Sequence, residues 1–137
     1  MNHRLILRLA AFVGVVFGIA LMFGPDALMR AYGAEGLNNA GRGMAMLCGS
    51  LLTAFAIMNF AASRAPDMAE IHYVLIGNLV AFTLGFVITL YRQLMVETVP
   101  DTAWLNVILN LGFAALFGYL YMASPAGYRL HSRTHHA

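Results

Sequence analysis

An all-α membrane protein is the fold class this sequence predicts, with four transmembrane helices in a compact bundle and a short interfacial helix after the first span. Two observations carry that expectation. Of 137 residues, 61% are hydrophobic and 10% charged, and the mean hydropathy is +0.72. A soluble domain carries roughly 25% charged residues, so too few charges remain here to cover a water-facing surface. The apolar residues are also gathered into four runs, each near the ~20 residues that carry a helix across a ~30 Å hydrocarbon core. Lipid offers no partner for free backbone groups, so each run must be helical. The length allows one domain, residues 1–137, and no separate soluble one.

The first span is expected over residues 5–23, with Arg8 near enough to its end to extend its guanidinium to the headgroups. Arg4 and Arg8 ahead of an apolar run share features with a signal peptide. No small-x-small cleavage site follows closely, and the segment reads as an uncleaved span. Gly24 and Pro25 stop it. Residues 25–32 then read as the interfacial helix: proline suits a first turn, where its missing N–H is not needed, and Asp26 meets the positive end of the helix dipole. Leu28, Met29 and Tyr32 form its apolar side. Further spans follow over residues 43–62, 71–91 and 103–122, the last two separated by Pro100.

Arginine placement sets the expected orientation. With the N-terminus inside, Arg4, Arg8, Arg64, Arg129 and Arg133 are cytoplasmic, and Arg30, Arg42 and Arg92 are outside. The expected topology is N-in and C-in, with residues 124–137 forming a basic cytoplasmic tail. Its Arg129, Arg133, His131, His135 and His136 suit contact with anionic lipid.

Small and polar residues recur at helical spacing and indicate packing faces. Ala10, Gly14 and Gly18 form a stripe on the first span, and Ala45, Gly49 and Thr53 repeat it on the second. Asn78, Phe82, Gly85 and Thr89 share a side of the third, and Asn106, Asn110, Ala114 and Gly118 share one of the fourth. Small residues let backbones approach, and amides and hydroxyls bond across membrane helix interfaces. Sliding the first half along the second superposes Gly18 on Gly85 and Asn39 on Asn106, a weak sign of a duplicated hairpin.

The candidate ligand site is a polar pocket at the outer end of the bundle, formed by Arg42, Thr89, Asn106 and Asn110. Arg42 would be its one fixed charge, and a quinone, a lipid or a fatty acid would supply the head. The competing reading pairs Arg42 with Glu35, Glu97 or Asp101 while the asparagines bridge helices, since ionisable groups at helix ends cost little. His72 is the one histidine within a span, and it reads as an interfacial residue bonded to water or Glu70. Proton-coupled transport usually uses an intramembrane carboxylate, and all six acidic residues fall in loops or at span ends. A single cysteine, Cys48, makes no disulfide within one chain. No catalytic motif and no metal-ligand spacing occurs. The small net charge of +2 gives no footing for nucleic acid.

A first span closing on Gly24-Pro25-Asp26-Ala27-Leu28, followed by Gly41-Arg42-Gly43-Met44 and three more spans, resembles the DoxX-like group. That group is a broad set of small bacterial four-helix membrane proteins, many of them domains of unknown function. The resemblance covers about residues 5–123 and implies a four-helix bundle in the bacterial cytoplasmic (inner) membrane. Some DoxX members serve quinone-coupled sulfur or thiol redox complexes. The single cysteine here supplies no thiol pair, so that activity does not carry over, and no family catalytic residue transfers.

The function expected is that of a non-enzymatic accessory subunit or a lipid- or small-molecule-binding bundle. Its partners would be the bilayer and a membrane complex or a second copy of the chain. The alternatives are a membrane enzyme or quinone-linked redox subunit using the outer pocket, and a small transporter.

Overall fold

The computed structural model describes residues 2–33 and 35–124. The expected tail, with its arginines and histidines, lies outside the described residues. Among the described residues five α-helices follow in order: α1 (His3–Phe23), α2 (Pro25–Ala31), α3 (Asn39–Ala62), α4 (His72–Met95) and α5 (Trp104–Ala123). All but α2 are long and apolar enough to cross a membrane, the arrangement of a multi-pass membrane protein. A 3₁₀ turn, Asp101–Ala103, leads into α5.

Local chemistry accounts for the ends. The Asn2 and Asn38 side chains accept hydrogen bonds from the backbone N–H groups of Arg4 and Gly41 and so cap α1 and α3. α3 therefore starts four residues before the expected span. Pro25 opens α2, and Gly33, with φ +77°, turns the chain after it. α4 runs on to Met95, four residues past its expected end, and that extra turn matters for the site.

The helices form two antiparallel hairpins. α1 packs mainly on α3, α4 packs mainly on α5, and contact between the hairpins is slight. Glycine makes the first pairing close. A Cβ on Gly18 would lie 2.9 Å from the Gly49 carbonyl oxygen, and one on Gly49 would lie 2.6 Å from that of Gly18. Gly14 meets Ala56 in the same seam, and Ala45 is half-buried one turn above Gly49. In the second hairpin Gly85 takes the corresponding place, with the Asn110 side chain against it. The superposed pair Gly18 and Gly85 thus both mark close helix approaches.

The main cluster of buried residues fills one end. Leu7, Ala62, Leu75, Phe117 and Leu120 close the bundle where α1 begins, and Phe82 stacks on Phe113 and Phe117 with ring centroids 4.8 and 5.6 Å away. His72 stacks on Tyr121 with ring centroids 5.4 Å apart. Just above this plug Asn59 and Asn78 exchange two side-chain hydrogen bonds, 3.0 and 2.7 Å, and tie α3 to α4. Both are fully buried. Removing one amide leaves the other buried without its partner, a loss of about 1–3 kcal/mol. Asn59→Leu is expected to destabilise by that order in a detergent unfolding titration. Asn59→Leu/Asn78→Leu should cost clearly less than the two single changes summed. Strict additivity would show that the pair is not coupled.

Candidate functional site

Beyond the Asn59–Asn78 bridge the hairpins separate around a cavity of about 500 Å³, a size within the ~300–1,000 Å³ of small-molecule sites. All four long helices line it. The deep part is apolar, with Val13, Phe17, Phe55, Phe82, Leu109 and Phe113, and Asn59 reaches its floor. The other end is polar, with Thr89, Arg92 and Gln93 from α4 and Asn106 and Asn110 from α5. Leu28 and Met29 of α2 roof it with Tyr32 just after that helix, and so do Val99 and Pro100 from the α4–α5 connection.

The polar end is only partly satisfied within the chain. Thr89 Oγ1 donates to the Gly85 carbonyl at 2.8 Å, and Asn110 Nδ2 donates to the Asn106 carbonyl at 2.8 Å. Tyr32 donates its phenol to Asn106 Oδ1 at 3.2 Å. Burial pushes the Tyr32 phenol above its ordinary pKa, against the opposing effect of that bond, and keeps it a neutral donor. Gln93 Nε2 reaches the Pro100 carbonyl at 3.4 Å, while its buried Oε1 has no partner among the described residues. Arg92 stands at the exposed rim and makes no ion pair among the described residues.

The roof is pinned from both sides. The Asp26 carboxylate accepts from the Leu37 backbone N–H at 2.9 Å and from Arg42 Nε at 2.7 Å. Those bonds, the Leu37 one foremost, hold its pKa below the ordinary carboxylate value. On the far side Thr102 donates its hydroxyl to the Tyr32 carbonyl. α2 is therefore fastened to the start of α3 and to the start of α5.

Three of the four expected pocket residues, Thr89, Asn106 and Asn110, lie together on the cavity wall. Arg42 does not. Because α3 begins at Asn39, Arg42 falls in its first turn and points at Asp26, outside the cavity. Its partner is also none of Glu35, Glu97 or Asp101. The cation of the cavity is Arg92, which lies just beyond the expected end of the third span. A signal for it is present, because Phe82, Gly85, Thr89, Arg92 and Gln93 continue one face at spacings of three and four. Asn59 carries no comparable signal.

Among the described residues no group of histidine, cysteine or acidic side chains is arranged to hold a metal, and Cys48 is exposed on α3. Comparison with protein-family models, with curated proteins and with solved structures finds no match for this chain.

Proposed function

We propose that the chain is a non-enzymatic membrane subunit that holds an amphipathic small molecule or lipid between its two hairpins. The observation supporting this reading is the division of one cavity into an apolar depth and a polar, cationic end. Pockets of that character orient a ligand by a few placed polar groups while apolar walls take most of its surface. Arg92 is suited to a carbonyl, carboxylate or phosphate oxygen. The ionisable side chains lining the cavity are Arg92 and Tyr32, a poor pair for general acid–base chemistry, which favours binding over an enzyme. On this reading the α2 end faces outward in a bacterial inner membrane, with the N-terminus inside. The apolar outer surface, including Leu5, Phe12, Leu51, Leu84 and Ile108, meets lipid or a companion subunit.

Purification in a mild detergent followed by mass spectrometry of bound small molecules tests the reading. Wild-type protein should carry an amphiphile with an oxygen-rich head. Asn110→Ala removes one neutral hydrogen-bonding group, worth about 0.5–1.5 kcal/mol, and should weaken retention by roughly 2–10-fold. A wild-type protein that neither retains nor takes up any such molecule refutes the proposal.

A further inference from the structure

The roof of the cavity is held differently from the rest of the bundle. α2 is seven residues long and none of them is fully buried, whereas each of the four long helices places residues in the buried interior. It packs on α1 and α3, and Asp26 near its start is bonded to Leu37 and Arg42, so it belongs to the first hairpin. Towards the second hairpin, the hydrogen bonds of this segment among the described residues both run through Tyr32. The phenol donates to Asn106 Oδ1 at 3.2 Å, and the backbone carbonyl accepts from the Thr102 hydroxyl. Few bonds and little buried surface are the marks of a segment that opens locally while the core stays folded.

We propose that α2 is a lid, hinged on the first hairpin and latched to the second by Tyr32, and that an amphiphile enters and leaves the cavity beneath it. This rests on the binding role proposed above and adds to it the ligand's route and the residue that controls it. The polar groups stand where such a route needs them. Arg92 is exposed at the rim, and Thr89, Gln93, Asn106 and Asn110 follow just inside, so a head passing under the lid stays among hydrogen-bonding partners. Lower down, the side between α1 and α5 is walled by Val13, Leu109 and Phe113, and α3 is tied to α4 by Asn59 and Asn78. A charged head crossing at either place would do so away from the headgroups, where ionisable groups are costly. The lid can move without disturbing the buried core or the asparagine bridge, because neither includes a residue of α2.

The test locks the lid. A Cβ on Gly33 would lie 3.6 Å from the Pro100 Cβ, within the ~3.5–4.5 Å of a disulfide, so Gly33→Cys/Pro100→Cys can join the end of the lid to the α4–α5 connection. Cys48, the single native cysteine, is replaced by alanine in the same protein. The full-length protein in mild detergent is loaded, while reduced, with a fluorescent lysophosphatidic acid, an amphiphile with a phosphate head. One sample is then oxidised and the other kept reduced, and release is followed by anisotropy after excess unlabelled lysophosphatidic acid is added. Gly33 has φ +77°, and the strain of a cysteine there is common to both samples. Oxidation should slow release at least about tenfold, and dithiothreitol should restore it. Tyr32→Phe, in the otherwise native chain, removes only the phenol's bond and should speed uptake and release alike by roughly 2–10-fold, with little change in affinity. A contact that served the bound state alone would change affinity instead. Equal release from the oxidised and reduced samples would overturn the lid while leaving the binding role intact, and Tyr32→Phe rates equal to wild type would overturn Tyr32 as its latch. Wild-type protein with no saturable uptake of the probe would overturn both the lid and the binding role.

Discussion

Gly49→Val is expected to destabilise the bundle more than any other single glycine replacement. A Cβ at Gly49 would meet backbone: the Gly18 carbonyl oxygen at 2.6 Å and the Met22 nitrogen at 2.9 Å. Neither can rotate aside, so α1 and α3 must move apart. Helix association in lipid rests on close packing and interhelical bonds rather than on a hydrophobic drive, and that separation removes the contact along the most extensive interface of the molecule. The expected loss is about 3 kcal/mol, the upper part of the range for overpacking. Gly77→Val supplies the contrast, since a Cβ there meets nothing within 4 Å. Helicity followed through an SDS titration should show Gly49→Val unfolding well before wild type and Gly77→Val close to it. Equal midpoints for the two variants would refute the close seam. Gly85→Ala should be milder, because its nearest obstacle is the Asn110 side chain, which can turn.

The contrast between these glycines shows what is legible in the sequence. Spacing of four puts Gly14 and Gly18 on one face of α1 and Gly49 on one face of α3, because a helix returns to a face at that interval. It does not say that Gly18 and Gly49 meet, since the pairing of faces depends on where each helix starts and how the hairpin closes. The four spans are legible because apolar length is a one-dimensional property. α2 is legible because Pro25 and Asp26 are both first-turn residues. The site is legible in part. Thr89, Asn106 and Asn110 are polar residues in apolar spans, and such residues turn inward. Arg42 and Arg92 are both arginines within a turn or two of a helix end, where the cost of exposure to headgroups is small and hydropathy does not discriminate. Asp26 decides between them. A carboxylate on α2, fixed by the Leu37 N–H, holds Arg42 outside the cavity, and that contact spans sixteen residues of chain without any periodic signature. The Asn59–Asn78 bridge is hidden for a similar reason, since one asparagine in a helix gives no indication of its partner.

Arg92→Leu is expected to abolish retention of an anionic-headed ligand, and Arg42→Leu to leave it largely intact. Arg92 lines the polar end of the cavity and makes no ion pair among the described residues, so its guanidinium is available to a ligand oxygen. A hydrogen bond to a charged group contributes about 1.5–3 kcal/mol, which corresponds to roughly 10–150-fold in affinity. Arg92→Lys keeps the charge but loses the planar fork, and should fall between wild type and Arg92→Leu. Arg42 acts at a distance. Its bond to Asp26 at 2.7 Å helps fasten α2, but the pair is exposed, and exposed pairs contribute about 0–1 kcal/mol. The Leu37 N–H and the Thr102 hydroxyl still hold the roof in its absence. Binding of a fluorescent lysophosphatidic acid, measured by anisotropy over a range of salt concentrations, separates the two. Wild type and Arg42→Leu should weaken similarly as salt rises, and Arg92→Leu should start weak and respond little. If Arg42→Leu loses the probe while Arg92→Leu keeps it, the charged end of the site lies at α2 and α3 rather than inside the cavity. A neutral monoacylglycerol discriminates further: without an anion to pair, it should lose far less to Arg92→Leu than the phosphate-bearing probe does.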